Sequence, residues 1–220
     1  MRVNSRAMAV AGISAVALLA TACGGDSGSD STDAGNAGSG ASQTGGDIVV
    51  RGCEPQNPLV GGDTGESCGH DIVELFTSTL FRYDPETSQP VNDLAESIET
   101  EDNQTFTVKI KPGVKFHDGT EVKAKNFVDA WNYTAYGPNA QYLSYFYEPI
   151  EGFAEVNGED SKVKELSGLK VVDDHTFTIK TSEPVSNLPI RLGYTAFAPQ
   201  PDAFFADPEA FAKKPIGAGP

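Results

Sequence analysis

Basic residues are scarce in this chain of 220 residues, which carries 16 Lys and Arg against 31 Asp and Glu and a formal net charge of −15. An acidic chain repels phosphate backbones, so this balance argues against nucleic acid as a partner. Histidine is also scarce, and the three histidines lack the paired spacing of metal ligands. We therefore expect no metal site and no cofactor.

Catalytic machinery is a further expected absence. A secreted hydrolase would need a nucleophile motif such as Gly-x-Ser-x-Gly or a pair of metal ligands. We expect the chain to have neither, and therefore predict that it is not an enzyme.

One apolar run stands at the amino terminus, Ala7 to Ala20, and it is too short to remain in a bilayer as a spanning helix. Arg2 and Arg6 precede the run, and small residues lead from it to Cys23. This resembles a bacterial lipoprotein signal, removed at residues 1–22, although the Leu usual three residues before the Cys is replaced by Ala. An ordinary secretory signal with a chance Cys is the alternative, and both interpretations export the protein.

Residues 24–46 contain no side chain larger than Gln, so they cannot build a core. As a flexible coil of about 23 residues, this segment would reach roughly 25–30 Å. We predict a linker over residues 23–46 that tethers a folded body to lipidated Cys23.

Two further cysteines, Cys53 and Cys68, form an even pair in an exported chain, which favours a disulfide. The bridge would close a loop of about 16 residues and stabilise the fold by about 3 kcal/mol. A zinc site that includes His70 is the alternative, but it would need a third and a fourth ligand at metal spacing.

The folded body has the patterns of a mixed α+β protein with antiparallel hairpins. Residues 105–110 and 176–180 alternate polar and apolar side chains, as half-buried strands do. Phe127, Trp131 and Ala135 stand four apart, which indicates a helix with one buried face. We also expect strands at 47–51, 80–83 and 194–198, helices at 70–79, 185–192 and 201–211, and a turn formed by His117 and Asp118.

Four linked segments then give a resemblance: Leu-Ala-Glu-Ser at 94–97, a hairpin and helix at 105–126, Gly168 to Thr178 followed by Glu183-Pro184, and Pro-Ile-Gly-Ala-Gly-Pro at 215–220. In this order and spacing they resemble family 5 of the extracellular solute-binding proteins. These are the oligopeptide- and dipeptide-binding components of ABC importers.

The resemblance implies an α/β fold of the periplasmic-binding-protein type, of which this chain holds the first lobe only, as an amino-terminal fragment. Residues 47–78 would begin that lobe, residues 79–199 would form an inserted subdomain, and residues 200–220 would return to the lobe. The second lobe would lie beyond the sequence.

The resemblance also implies a function. The protein would capture extracellular peptides, or similar small solutes, and deliver them to ABC permease subunits. It would work outside the cytoplasm, anchored to the outer face of the cell membrane through Cys23. A surface sensor or signalling-peptide receptor is an alternative, as is a binding protein for a sugar or a metal chelate.

By alignment with peptide-binding relatives, Thr64, Gly65 and Glu66 fall on a segment that pairs with the ligand backbone. Gly65 is the best-matched position, and a glycine allows close approach. The alternative is that Gly65 merely forms a turn in the loop between the two cysteines.

Asn139 falls where oligopeptide binders place an aromatic residue, so we include it among the substrate-binding candidates together with Tyr142. Tyr142 and Tyr145 would line the cleft. The competing interpretation places both tyrosines in the core, where aromatic residues beside a helix are more often found.

One departure from the family pattern concerns helix capping. The family usually has Thr before the helix and an acid three residues later, whereas this chain has Lys123 and Asn126. We expect this change to forfeit a cap worth about 1 kcal/mol.

Overall fold

The computed structural model describes Val49 and residues 51–220. The predicted signal, Cys23 and the linker lie outside the described residues. Of the predicted strand at 47–51, only Val49 and Arg51 are described, and neither lies in a strand. Among the described residues, no helix has both the length and the apolar character that a bilayer crossing requires.

A four-stranded antiparallel sheet lies at the centre of the described part. Its strands are β3 (Ala95–Glu99), β4 (Thr105–Ile110), β5 (Leu169–Asp173) and β6 (Thr176–Lys180), in the order β3-β4-β6-β5. A separate hairpin joins β1 (Phe81–Tyr83) and β2 (Pro90–Asn92). The strands predicted at 105–110 and 176–180 are confirmed as β4 and β6.

The two strands of nearly identical sequence, β4 and β6, are direct neighbours. Phe106 stands opposite Ile179 and Val108 opposite Phe177, and all four side chains are fully buried. The alternation of apolar and polar residues therefore gives the sheet one continuous apolar face.

Helix α2 (Ala124–Ala135) covers this face, as its apolar stripe predicts. Phe127 stacks on Phe177 with ring centroids 5.6 Å apart, and Trp131 meets Phe177 edge-on at 5.4 Å. Trp131 is fully buried, and its indole N–H donates a hydrogen bond of 3.0 Å to the carbonyl of Phe197. Trp131 therefore fills the core without leaving a polar atom unsatisfied.

The start of α2 keeps part of the cap that we expected to be lost. The amide oxygen of Asn126 accepts from the backbone N–H of Lys123 at 2.8 Å. The amide nitrogen of Asn126 donates to the buried carbonyl of Gln200 at 3.0 Å. An acid at this position would supply only the acceptor, so Asn126 ties α2 to a segment 74 residues away as well as capping it.

The other helices are short: α1 (Ser67–Val73), α3 (Phe153–Val156), α4 (Leu188–Arg191), α5 (Asp202–Ala206) and α6 (Pro208–Lys213). The predicted helix at 201–211 is two helices. Asp207 separates them, and its carboxylate accepts from the N–H of Ala210, while Pro208 occupies the first position of α6. The predicted helix at 185–192 shortens to α4.

Two other predictions about secondary structure were wrong. The helix predicted at 70–79 is α1. It begins earlier than predicted because Glu66 caps its start, and it ends at Val73. The strand predicted at 194–198 is a 3-10 turn, Thr195–Phe197. Phe197 is fully buried against Trp131, at a centroid distance of 5.2 Å, so core packing overrides the strand propensity of this short segment.

The turn before α2 does more than reverse the chain. Asp118 forms the turn as predicted, since its carboxylate accepts from the N–H of Thr120 at 2.9 Å. His117 also lies in the turn, and it reaches the carboxyl-terminal segment: its backbone N–H donates to the carbonyl of Gly217 at 3.0 Å, and its Nε2 lies 3.1 Å from the carbonyl of Gly219. Two of the motifs that carry the family resemblance are thus in direct contact.

Candidate functional site

A disulfide joins Cys53 and Cys68, with their Cα atoms 5.5 Å apart. This confirms the predicted pair and excludes the zinc alternative. The segment that it closes, residues 53–68, is called the stapled loop below. It ends in the first turn of α1, so the bridge fixes the loop to a helix.

The side chain of Thr64 is inside the stapled loop. It is fully buried, its hydroxyl lies 2.9 Å from the carbonyl of Val60, and it accepts from the N–H of Val60 at 3.0 Å. The hydroxyl is also within hydrogen-bond distance of the carbonyl of Pro58. The N–H of Thr64 also donates to the carbonyl of Val60, at 2.9 Å. Thr64 therefore supports the loop and offers a ligand neither its side chain nor its N–H.

Glu66 is also committed to the loop. Its carboxylate accepts from the N–H of Gly69, at 2.9 and 3.0 Å, and from the N–H of Gln56 at 3.1 Å. These bonds, that from Gly69 first, hold the pKa of Glu66 below its ordinary value. The side chain thus caps α1 and ties the beginning of the loop to its end.

Gly65 is exposed, and its backbone lies against the ring of Tyr142. A Cβ atom built on Gly65 would be 2.4 Å from a ring carbon of Tyr142 and 2.9 Å from Leu143. The N–H of Tyr142 donates to Asp63 at 3.1 Å, and that of Leu143 donates to the carbonyl of Gly62 at 3.0 Å. The close approach predicted at Gly65 is therefore made by this chain's own tyrosine.

Tyr142 and Tyr145 are 61% and 58% exposed, so the alternative that placed them in the core was wrong. Asn139 lies in a 3-10 turn after α2, and its side-chain amide donates to the carbonyl of Tyr133 at 2.9 Å. Asn139 closes the end of α2, and the structure does not bring it to the cleft described next.

A cleft of about 230 Å³ runs along the backbone of residues 64–66. The sequence gives no signal for three of its walls, Phe146, Tyr194 and Thr195, because they come from segments far away along the chain. His70, four residues after Glu66, also lines the cleft. A larger groove of about 960 Å³ lies between β1 and residues 218–220, but it contains none of the predicted site residues.

Unpaired backbone groups lie at this cleft. Within residues 49 and 51–220, the N–H and C=O of Gly65 and the N–H of Glu66 have no hydrogen-bond partner. Glu66 has extended backbone angles, with φ −100° and ψ 154°. Glu66 therefore has the backbone conformation of a strand, and Gly65 and Glu66 together have the free groups of a strand edge.

His70 lines the cleft, and its imidazole contacts two other side chains. Its Nδ1 lies 3.2 Å from the hydroxyl of Thr195, and its Nε2 lies 3.1 Å from the carboxylate of Glu74. The order carboxylate, imidazole, hydroxyl is that of a catalytic triad. Thr195, however, is only 4% exposed, so its hydroxyl is not available to attack a bound molecule.

The expectation that the chain lacks a Gly-x-Ser-x-Gly motif was wrong, because residues 65–69 read Gly-Glu-Ser-Cys-Gly. The structural context is not that of a nucleophile elbow, which places the Ser on a turn between a strand and a helix. Ser67 is the first residue of α1, no strand precedes it within the stapled loop, and the imidazole of His70 is paired with Thr195. The motif arises from the cap of a short helix.

Comparison with known proteins identifies the relatives of this architecture. The family model "Bacterial extracellular solute-binding proteins, family 5 Middle" matches residues 89–220, which is more than half of the chain. The periplasmic oligopeptide-binding protein OppA of Escherichia coli is 32% identical over 118 residues, covering 52% of this chain and 21% of the relative. The oligopeptide-binding protein AppA of Bacillus subtilis is 31% identical over 216 residues, covering 93% and 36%.

A solved structure agrees with these relatives. The substrate-binding domain of an oligopeptide ABC transporter from Bacillus anthracis superposes with a TM-score of 0.68 at 25% identity, covering 76% of this chain and 33% of that one. The chain thus spans between about a fifth and about a third of the length of these proteins. It belongs to family 5 of the bacterial extracellular solute-binding proteins, which are binding proteins and not enzymes.

Proposed function

We propose that this chain forms the ligand-facing part of the first lobe of a peptide-binding protein that serves an ABC importer. The observation that carries the proposal is the unpaired backbone of Gly65 and Glu66 at the cleft, which is extended at Glu66. Membership of the family supports a binding role, and the names of the relatives support peptides as the ligand class.

The proposed binding mode is addition of the peptide as an extended strand along Gly65 and Glu66. Main-chain hydrogen bonds of this kind form with any peptide sequence, so affinity does not depend on a particular side chain. The polar side chains of Thr64 and Glu66 are already engaged inside the loop, which keeps the backbone in place without competing for the ligand.

A second lobe would close over the peptide by a hinge motion. In this proposal residues 47–78 and 200–220 belong to the first lobe and residues 79–199 form the inserted subdomain. The contact of His117 with Gly217 and Gly219 supports a fixed junction between the subdomain and the returning segment.

The proposed location is the outer face of the cell membrane. The basic start, the apolar run and the small residues before Cys23 support export and lipidation, and the Gly- and Ser-rich residues 24–46 would join the anchor to the body. Permease subunits are the proposed partners. Replacement of Cys23 by Ser should release the protein from the membrane fraction of the producing cells, and unchanged membrane association would contradict the anchor.

Calorimetry with the complete protein, including any sequence that its gene encodes beyond residue 220, tests the ligand class. We expect short peptides to bind, and a sugar or a metal chelate not to bind. A peptide methylated at the one backbone nitrogen that pairs with Gly65 should bind about tenfold more weakly, because one hydrogen bond is lost. Tight binding of a sugar or chelate without peptide binding would overturn the proposal.

A further inference from the structure

The cleft continues into a second hollow of about 380 Å³, lined by Tyr145, Phe146, Glu148, Pro149, Arg191 and Tyr194. Tyr145, Phe146 and Tyr194 line both hollows, so the two form one continuous surface. We propose that this second hollow is a subsite for an aromatic side chain of the bound peptide. The inference rests on the proposed function, because it assumes that a peptide backbone lies along Gly65 and Glu66.

The walls of the hollow are tyrosines that remain exposed. Four tyrosines are at least half exposed among the described residues, and Tyr142, Tyr145 and Tyr194 all lie around the cleft, while Tyr83 is the exception. Grouping of exposed aromatic side chains on one concave surface is typical of a binding site, since such side chains offer large contact areas with few rotatable bonds.

The floor of the hollow is anchored in the core. The ring of Phe146 lies 4.8 Å from Tyr145 and 5.2 Å from Tyr194, and it meets the buried ring of Phe197 edge-on at 6.0 Å. Phe197 in turn packs on Trp131. The subsite is therefore formed in advance on a rigid support, which reduces the entropy that a ligand must remove on binding.

The chemistry of the walls selects the occupant. Two tyrosine rings around a phenylalanine floor give an incoming ring both stacked and edge-on partners. Glu148 and Arg191 also line the hollow, and neither forms a salt bridge within the described residues. Glu148 repels an acidic side chain and Arg191 repels a basic one, and the other walls are aromatic or apolar, so an uncharged aromatic ring fits the hollow best.

Strand pairing adds a positional rule. Side chains of an extended peptide alternate between two faces, and those on one face repeat every second residue, at about 6.6 Å. A peptide held at Gly65 therefore presents to the hollow only residues of one parity. The preference for an aromatic residue should appear at one peptide position and should be absent at its immediate neighbours.

The test uses the complete protein, isothermal titration calorimetry and a series of alanine-based pentapeptides. Each peptide carries a single Phe, Leu or Arg at one position, and the all-alanine peptide is the reference. We expect Phe at one position to strengthen binding about tenfold over the reference, and Phe at the adjacent positions to have less than about a threefold effect.

Variants of the protein locate the effect. Tyr145→Ala and Tyr194→Ala should each remove most of the gain from Phe, whereas Tyr145→Phe should retain it because the ring remains. Both tyrosines are more than half exposed, so the truncations are expected to fold, which circular dichroism checks. Tyr83→Ala, at an exposed tyrosine outside the cleft, is the matched control and should leave the gain unchanged.

The outcomes separate the two proposals. Equal binding of the Phe and all-alanine peptides would overturn the aromatic subsite and leave peptide binding intact. A stronger effect of Arg than of Phe, or a loss in the two alanine variants that is equal for all peptides, would also overturn the subsite. Failure of every peptide to bind would overturn the proposed function together with the subsite.

Discussion

In the helix–sheet scaffold, formed by β3 to β6 and α2, side chains carry the structure and the backbone is used in ladders and helix turns, except at the outer edges of β3 and β5. At residues 64–66 of the stapled loop, the roles of side chain and backbone are reversed. Thr64 and Glu66 spend their polar side chains on the loop itself, and the backbone between them is left free. The residues that identify the family thus lie mainly in the scaffold, and the backbone groups that we propose for ligand binding lie in an irregular segment.

Loss of Trp131 should break the scaffold and is expected to have the largest effect. Trp131→Ala removes a fully buried side chain and leaves the carbonyl of Phe197 without its donor, which should lower the free energy of unfolding by about 3–5 kcal/mol. Urea unfolding followed by circular dichroism measures this change. Tyr83→Ala, at an exposed ring, is the control and should change stability much less; equal effects would contradict the assignment of the core.

Removal of the disulfide should destabilise the fold through the stapled loop. In Cys53→Ser with Cys68→Ser, we expect the free energy of unfolding to fall by about 3 kcal/mol, because the unfolded chain gains the freedom of the open loop. Urea unfolding without thiols measures it. A reductant should produce a similar loss in the parent protein and none in the double variant, and an effect of reductant on the variant would contradict this explanation.

Asn126 joins the scaffold to a distant segment, and Asn126→Asp keeps its acceptor while removing its donor. The buried carbonyl of Gln200 would then face a carboxylate, and we expect a loss of about 2 kcal/mol in thermal or urea unfolding. Asn92→Asp is the matched control, since it removes the donor to the carbonyl of Glu96 at an exposed site where water can replace it. Equal losses in the two variants would show that burial of the bond is unimportant.

A smaller effect is expected where Gly65 meets the ring of Tyr142. Gly65→Ala forces a methyl group toward the ring of Tyr142 and toward Leu143, and should cost about 1 kcal/mol, at the lower end for overpacking because the ring is exposed. Tyr142→Ala should recover part of this loss when combined with it. A double-mutant cycle measures the coupling, and strictly additive effects would contradict the contact.

The smallest expected effect is a pH dependence at the loop. The pKa of Glu66 is lowered in the folded state, chiefly by the N–H of Gly69. The unfolded state therefore binds this proton at a higher pH than the folded state does. The stabilisation by Glu66 is present above the ordinary pKa of about 4.3 and is lost as the pH falls through the lowered value.

Glu66→Gln keeps a side-chain acceptor and removes the titration. The difference in unfolding midpoint between pH 6 and pH 3 should therefore be smaller in this variant than in the parent. Thermal unfolding across this range provides the measurement. An unchanged pH difference would contradict a role for the carboxylate in tying the loop.

The scaffold could be predicted from sequence because its periodicity is a property of neighbouring residues. The alternation of polar and apolar residues around Phe106 and Phe177 predicts their strands. The spacing of four residues between Phe127, Trp131 and Ala135 predicts the helix. The cleft could be predicted only in part. Tyr194 and Thr195 reach it through a 3-10 turn set by the packing of Phe197, and nothing in the local sequence distinguishes this turn from a strand.

Capping residues explain the remaining differences. Glu66 looked like a contact for the ligand and is the cap of α1, while Asn126 looked like a lost cap and makes two hydrogen bonds. In both residues the chemistry of the side chain was visible in the sequence, but its partner was not. Because the predicted start of α1 was residue 70, Gly69 lay outside the predicted helix and gave no sign of its bond to Glu66. Gln200 lies 74 residues from Asn126.

The strand order β3-β4-β6-β5 has a consequence for the assembly of the protein. β4 leaves the ribosome more than sixty residues before β6, the strand that must cover its free edge. Until β6 is made, that edge of β4 has no partner strand, although α2, which covers the apolar face of Phe106, Val108 and Ile110, follows β4 closely in the chain. If the protein is exported, as we propose, this delay fits that route, since a sheet that cannot complete its pairing early keeps the nascent protein in the unfolded form that can be threaded through a narrow translocation pore.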